Sequence, residues 1–136
     1  MQFVQNNLLL VGLALVSGMM LLWPLVSRFF GGAKQLDTLE AVQKINHDDA
    51  LVIDVREPGE VAQGKIARAK VIPLGELKNR AGELEKHKTK PIIMVCRSGS
   101  RSAGACGILN KLGFTEVYNL AGGMIAWQQS NLPVEK

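Results

Sequence analysis

One short segment of the sequence combines a nucleophile, small residues and positive charge. It begins at Cys96 and ends at Arg101, and the four residues between them are Arg97, Ser98, Gly99 and Ser100. The small residues allow the backbone to curl tightly, so that several N–H groups can point inward as a nest for an anion. The two arginines add permanent positive charge. This combination predicts a loop that holds a reactive thiolate beside an anionic substrate.

The two cysteines of the chain have different surroundings in the sequence. Cationic neighbours and a helix N-terminus lower the pKa of a thiol from its ordinary value of about 8.5, so we expect Cys96 to be largely thiolate at neutral pH. Cys106 has no basic neighbour and lies near the apolar Ile108 and Leu109. We predict a structural role for Cys106, with a resolving thiol as the alternative. Free cysteines fit a reducing compartment.

Regular elements must hold this loop, and the apolar pattern predicts them. Runs rich in valine and isoleucine predict strands over 51–55, 71–72, 91–96 and 116–120, and helical spacing predicts helices over 37–46, 74–84, 102–112 and 124–129. The alternation predicts an α/β fold with a parallel sheet covered on both faces. Ligands bind beyond the carboxyl ends of such strands, and Cys96 ends one of them.

The first 27 residues carry no charged side chain. Residues 8–26 form an apolar run of nineteen residues, which as a helix would reach nearly 30 Å, the thickness of the hydrocarbon layer. This run predicts a retained transmembrane helix, with a cleaved signal peptide or a buried core helix as alternatives. The predicted organisation is an anchor over 1–27, a linker over 28–35 and a catalytic domain over 36–136.

Charges just beyond the apolar run predict the orientation of the chain. Arg28 and Lys34 follow the run, and only uncharged residues precede it. The positive-inside rule then places the catalytic domain in the cytoplasm. The predicted location is therefore the inner membrane, with a single span, and the anchor favours a membrane-protein partner.

Five motifs occur in the order found in rhodanese domains, and together they make the chain resemble that family over residues 36–133. They are Asp54-Val55-Arg56-Glu57-Pro58, Gly64-Lys65-Ile66, Ile72-Pro73, the loop from Cys96 to Arg101, and Gly122-Gly123-Met124 with Trp127. The resemblance implies a single-domain sulfurtransferase with a rhodanese-like parallel sheet sandwiched by helices, here preceded by the predicted transmembrane helix.

The resemblance also implies a mechanism and its residues. The catalytic cysteine of the family corresponds to Cys96, and the substrate-binding loop corresponds to residues 97–101. In this family the cysteine takes a sulfane sulfur from a donor such as thiosulfate, and the persulfide passes it to a thiol or protein acceptor. Asp54 and Arg56 are expected to support the loop, and no metal or cofactor is expected.

Three positions depart from the usual pattern of the family. Lys65 stands where a histidine is usual, Val61 where an aromatic residue is usual, and Arg68 where glycine is common. These differences bear on substrate preference more than on the fold or the nucleophile.

Two other functions fit the same residues. Cysteine phosphatases and arsenate reductases also hold a thiolate in an anion-binding loop that ends in arginine. The loop of the related phosphatases is one residue longer than the one between Cys96 and Arg101, and the shorter loop favours a site for a single sulfur atom. The second alternative is a membrane-tethered rhodanese module that binds a partner without catalysis.

Several other classes of function lack their sequence signals. Residues 59–65 fit most of a nucleotide-binding P-loop, but Ile66 follows where a serine or threonine must bind magnesium. The cysteines and histidines show no metal-ligand spacing. The net charge of +4 comes from basic residues interleaved with acidic ones, which predicts a solvated surface and no nucleic-acid partner.

Overall fold

A computed structural model describes the backbone of residues 2–29 and 33–136, with side chains for residues 2–24 and 33–136. The chain divides into two units, Met1–Gly32 and Ala33–Lys136. The first unit contains helix α1 (Gln2–Asn6) and helix α2 (Leu8–Phe29).

The prediction of a transmembrane helix over 8–26 is wrong on this structure. Crossing the hydrocarbon layer takes about 20 consecutive apolar residues, and no helix within the described residues is both long enough and apolar enough to do so. This finding also overturns the predicted single-pass location in the inner membrane, with the catalytic domain facing the cytoplasm.

The second unit contains seven strands and five α-helices. The strands are β1 (Lys34–Leu36), β2 (Leu51–Asp54), β3 (Lys65–Ile66), β4 (Lys70–Val71), β5 (Ile92–Val95), β6 (Val117–Leu120) and β7 (Val134–Glu135). The helices are α3 (Thr38–His47), α4 (Pro58–Val61), α5 (Leu77–Arg80), α6 (Ser100–Lys111) and α7 (Gly123–Gln129).

Five of the strands form a parallel sheet in the order β1-β6-β5-β2-β4. The central strand β5 is buried along its whole length, as expected for a strand covered on both faces. Its side chains alternate between two clusters of buried residues. Met94 and Cys96 share one cluster with Leu109 of α6, whereas Val95 shares the other with Trp127 of α7. Helices therefore cover both faces, and the α/β prediction is confirmed.

The predicted start of α3 is confirmed in detail. The carboxylate of Asp37 accepts a hydrogen bond from the backbone N–H of Glu40 at 2.7 Å, and the carboxylate of Glu40 accepts one from the N–H of Asp37 at 3.4 Å. This reciprocal capping box satisfies two N–H groups that the first turn leaves without helical partners.

Two predicted elements differ from the structure. The helix predicted over 74–84 is broken into a 3₁₀ turn at Leu74–Glu76, α5, and a 3₁₀ segment at Ala81–His87, because Gly75 and Gly82 weaken continuous helix. Helix α6 begins at Ser100 rather than Ser102. Its first turn therefore includes Ser100 and Arg101, which the sequence had placed in the loop.

Candidate functional site

Cys96 directly follows β5, and Gly99 is the N-cap of α6. The loop between them turns sharply because Gly99 has a φ of 104°, a conformation that side chains other than glycine rarely adopt. A Cβ on Gly99 would also lie 3.4 Å from the carbonyl oxygen of Leu120. The glycine thus lets the loop pack closely against the end of β6.

The sulfur of Cys96 accepts hydrogen bonds inside the loop. The backbone N–H of Gly99 lies 3.0 Å from Sγ, and the hydroxyl of Ser102 lies 3.3 Å from it. Burial acts to raise the pKa of Cys96. Hydrogen bonds from the Ser102 hydroxyl and from the N–H groups of Ser102, Gly99 and Ser98 outweigh burial, so the pKa of the thiol lies below its usual value. The direction of the shift agrees with the expectation, and hydrogen bonds are the largest of the causes that lower the pKa.

Ser102 and Asn119 belong to this site although the sequence did not single them out. Both are buried. The Ser102 hydroxyl donates a short hydrogen bond to Oδ1 of Asn119, and Nδ2 of Asn119 donates to the carbonyl of Gly99 at 3.0 Å and to Oε1 of Gln35 at 3.1 Å. A polar serine on the apolar face of α6 and an asparagine inside a buried strand were the available signals.

The start of α7 holds the loop from the other side. The N–H of Met124 donates to the carbonyl of Cys96 at 2.9 Å, and the N–H of Ile125 donates to the carbonyl of Arg97 at 3.1 Å. Gly123 makes this approach feasible, because a Cβ there would collide with the Cys96 carbonyl and lie 2.6 Å from the oxygen of Arg97. With its carbonyls engaged by α7, the loop presents N–H groups to Sγ.

Asp54 and Arg56 form a buried ion pair beside the loop. The guanidinium of Arg56 donates to both carboxylate oxygens of Asp54, at 2.7 to 3.1 Å, and to the carbonyl of Gly64 at 2.7 Å. Both charges are therefore fully engaged, and the pair fixes the segment after β2 against the segment before β3. This geometry suits a supporting role.

Arg101 also forms an ion pair. Its two terminal nitrogens donate to the two carboxylate oxygens of Glu60 on α4, at 2.7 and 2.8 Å. The bidentate contact lowers the pKa of Glu60 to about 2 and raises the pKa of Arg101 above its usual value. The sequence predicted Arg101 as a substrate-binding group but did not reveal that Glu60 neutralises it.

Arg97 has no such partner, since it forms no ion pair among the described residues. It is exposed and lines a cavity of about 240 Å³ next to the loop. The other lining residues are Arg56, Glu60, Gln63, Gly64, Met124, Ile125 and Gln128. With Arg56 and Glu60 already paired, Arg97 is the lining cation whose charge remains available to an anion.

Two other residues singled out from the sequence, Cys106 and Lys65, make no contact with the sulfur of Cys96 among the hydrogen bonds and ion pairs described above. Cys106 is fully buried, and burial raises the pKa of its thiol to about 12, which fits a packing role. Lys65 donates to Glu135 at 2.6 Å and to the carbonyl of Ala69 at 3.1 Å. In the part of the chain that is described, no cluster of His, Cys, Asp or Glu side chains has the geometry to hold a metal ion.

The second unit of the chain is similar in sequence to proteins of one family. A model of the "Rhodanese-like domain" family matches residues 37–130. A sulfurtransferase from Allochromatium vinosum is 37% identical over 101 residues, which cover 74% of this chain and 92% of that protein. The putative sulfurtransferase YtwF from Bacillus subtilis is 40% identical over 74% of this chain and 95% of its own length.

A solved structure gives the same result for the fold. The crystal structure of a rhodanese-related protein from Thermoplasma volcanium matches with a TM-score of 0.68 and 31% sequence identity. The match covers 75% of this chain and 97% of that one.

Proposed function

Since this chain belongs to the rhodanese-like family and has sulfurtransferase homologues, we propose that Cys96 carries the transferred sulfur as a persulfide, within a catalytic domain over residues 36–136. The observation that carries this proposal is the environment of Sγ, which faces the N–H of Gly99 at 3.0 Å and the hydroxyl of Ser102 at 3.3 Å. Donors that converge on a buried sulfur stabilise its anionic form.

The first half-reaction loads the sulfur. The Cys96 thiolate attacks the sulfane sulfur of a donor such as thiosulfate, so that a new S–S bond forms on Sγ. The S–S bond of thiosulfate breaks, and sulfite leaves with the bonding electron pair. No external oxidant is needed, because one S–S bond replaces another.

The second half-reaction delivers the sulfur. A nucleophilic acceptor, either a small thiol or a protein thiolate, attacks the outer sulfur of the persulfide. The bond from the outer sulfur to Sγ breaks, and the electron pair returns to Cys96 as thiolate. The loop N–H groups stabilise the leaving thiolate as they stabilise the attacking one.

The charges around the cavity suit an anionic donor. Arg97 is exposed beside the loop without an ion-pair partner among the described residues, whereas Arg101 is held by Glu60 at 2.7 Å. We therefore assign the attraction of the donor to Arg97. Arg101 serves to hold α4 against α6 at the edge of the same cavity.

The same contacts weigh against a phosphatase. A phosphatase uses the arginine that ends its loop to bind two oxygens of the phosphate group, and here both terminal nitrogens of Arg101 already bind Glu60. A binding module without catalysis would have no use for an N–H group and a hydroxyl that converge on a buried thiol. Both alternatives remain as outcomes of the experiment that follows.

Intact-mass measurement of the full chain after thiosulfate treatment tests the proposal. We expect the protein to gain one sulfur atom, which cyanide or a thiol then removes. Cys96→Ser should abolish the gain. Cys106→Ala is the matched control, since it removes the other cysteine and should leave the gain intact.

Two results would count against the proposal. If a folded protein gains no sulfur from thiosulfate or polysulfide, Cys96 is not a sulfur carrier, and hydrolysis of an aryl phosphate should be assayed next. If the gain persists in Cys96→Ser and disappears in Cys106→Ala, the carrier has been assigned to the wrong cysteine.

A further inference from the structure

The hydroxyl of Ser102 lies between two groups that compete for its proton. On one side is Sγ of Cys96, at 3.3 Å, and on the other is Oδ1 of Asn119, in a short contact. Ser102 and Cys96 are fully buried, and Asn119 is 3% exposed. Because water has little access to this cluster, each proton in it has to be assigned to a protein atom.

The orientation of the Asn119 amide follows from its partners. The carbonyl of Gly99 lies 3.0 Å from one end of the amide, and a carbonyl oxygen only accepts hydrogen bonds. That end must therefore be Nδ2. The other end, which faces Ser102, is Oδ1, and it only accepts.

When Cys96 is a thiol, the side-chain hydrogen-bond donors and acceptors of Cys96, Ser102 and Asn119 match one another. The S–H of Cys96 donates to the oxygen of Ser102, and the hydroxyl of Ser102 donates to Oδ1 of Asn119, so each donor has an acceptor. In the thiolate state one proton has left to solvent base. The single hydroxyl proton of Ser102 then serves either Asn119 or the negative sulfur, but not both.

The charge on the sulfur decides this competition. A hydrogen bond to a charged group is stronger than one between two neutral groups. The hydroxyl therefore turns toward Sγ when Cys96 is a thiolate. In a persulfide the negative charge moves to the outer sulfur, and the hydroxyl returns to Asn119.

We propose that Ser102 is a catalytic residue whose hydroxyl switches its hydrogen bond between Asn119 and Cys96 with the charge on Sγ, and that Asn119 is the positioning residue that competes for it. The inference rests on the proposed function only in taking Cys96 as the nucleophile. It adds a step to sulfur delivery: as the electron pair returns to Sγ, the hydroxyl turns to stabilise the leaving thiolate. No bond to Ser102 breaks in this step.

Other charges near Cys96 stay the same in the test. Arg101 on α6 acts electrostatically on Cys96 and Asp54. Glu60 on α4 pairs with Arg101, and Arg56 after β2 pairs with Asp54. The exposed Arg97 is adjacent in the chain. The variants below leave all of these groups in place.

The test measures alkylation of Cys96 by iodoacetamide as a function of pH, on the full chain and followed by intact mass. It needs no sulfur donor, so its failure is distinct from failure of the proposed persulfide. Ser102→Ala should slow alkylation at pH 6 on the order of tenfold, with little difference at a pH where the thiol is fully ionised. A folded Ser102→Ala protein with an unchanged pH profile would overturn the proposal.

A double-mutant cycle tests the competition itself. Asn119→Ala also removes the hydrogen bond to Gly99, so its effect is compared in the wild-type and Ser102→Ala backgrounds. In the wild-type background, Asn119→Ala frees the Ser102 hydroxyl for Cys96, whereas the Ser102→Ala background has no hydroxyl to free. The factor by which Asn119→Ala speeds alkylation at pH 6 should therefore be at least about threefold larger in the wild-type background. Equal factors in the two backgrounds would show that Asn119 acts only by holding the loop.

Gln35→Ala is the matched control for this cycle. It removes a partner of Nδ2 at 3.1 Å and leaves Oδ1 of Asn119 in place, so the pH profile should not move. A shift as large as that of Asn119→Ala would overturn the assignment to Oδ1. Should Asn119→Ala fail to fold, Asn119→Ser replaces it in the cycle, so that the competition is still tested.

Discussion

Arg97 and Arg101 carry the same charge but differ in the partners available to each guanidinium. Arg101 is held by two charge-assisted hydrogen bonds to Glu60, so its positive charge is balanced locally. Arg97 lines the cavity and forms no ion pair with any described residue. Spacing from Cys96 therefore does not distinguish the two arginines, and the assignment of donor binding to Arg97 rests on the difference in their partners.

Replacing Arg97 with glutamine should weaken the use of an anionic donor. We expect the KM for thiosulfate to rise about fivefold to tenfold, because a positive charge that no described carboxylate neutralises is lost beside the cavity, while kcat changes less. Steady-state kinetics at two salt concentrations measures this effect, which should shrink at high salt. Lys78→Gln, an exposed cation outside the cavity, is the control. Equal KM values for the wild type and Arg97→Gln would remove Arg97 from donor binding.

The sequence predicted Cys96 as the nucleophile and the loop that follows it, but it did not indicate every residue that contacts them. Cys96 and Gly99 were found because their types and local spacing are informative. Ser102 reaches Asn119 across 17 positions of sequence, and Arg101 reaches Glu60 across 41. Such pairings are created by the fold, and a single sequence carries no record of them.

At the scale of elements, the active loop depends on how α7 meets the end of β5. The first turn of α7 donates two N–H groups to the carbonyls of Cys96 and Arg97. Gly123 permits this approach in two ways, since it has a φ of 54° and leaves no room for a Cβ. One glycine thus connects the geometry of a helix to the orientation of the N–H groups around Sγ.

Gly123→Ala should therefore disrupt both stability and sulfur loading. The added methyl would force α7 away from the loop, and we expect a loss of about 2 kcal/mol or more in the free energy of unfolding. Urea unfolding followed by circular dichroism measures it. Gly104→Ala in α6, where a Cβ meets nothing within 4 Å, is the control and should be neutral or stabilising by up to about 1 kcal/mol. Equal stability of the two variants would contradict the assigned role of Gly123.

Long apolar elements were predicted well, and short ones were not. Strands β2 and β5 are largely apolar runs whose burial is evident from composition, and β6 was predicted although it contains a tyrosine and an asparagine. Strands β3 and β7 have two residues each and pair with each other in a separate antiparallel sheet. A pair of residues contains no periodicity, so only the folded chain reveals that Lys65 and Glu135 lie side by side.

At the scale of the whole rhodanese-like domain, ion pairs connect segments that are distant in sequence. Glu60 and Arg101 hold α4 against α6 at 2.7 Å, and Lys65 and Glu135 hold β3 against β7 at 2.6 Å. Both contacts lie outside the apolar clusters, and three of the segments that they join, α4, β3 and β7, have only two to four residues. The folded position of these segments therefore depends on charge, and so on pH.

Stability at low pH should report the contact between Glu60 and Arg101. The hydrogen bonds from Arg101 lower the pKa of Glu60 to about 2, compared with 4.5 for an ordinary glutamate. Because the folded-state pKa is the lower one, the contact stabilises the protein fully above the unfolded-state value. That contribution is lost as the pH falls from about 4.5 toward 2.

Glu60→Gln should consequently lower the melting temperature at pH 7 and flatten its decline between pH 5 and pH 2. Some decline should remain, because Lys70 and Arg80 lower the pKa of Glu83 in the same direction. Thermal unfolding followed by circular dichroism across this range measures both effects.

Glu76→Gln, an exposed residue with no ion pair among the described residues, is the control. A Glu60→Gln profile that parallels the wild type would mean that the contact adds nothing to stability, which is a common result for partly exposed pairs. In that event the role of Glu60 would be confined to neutralising Arg101 beside the cavity.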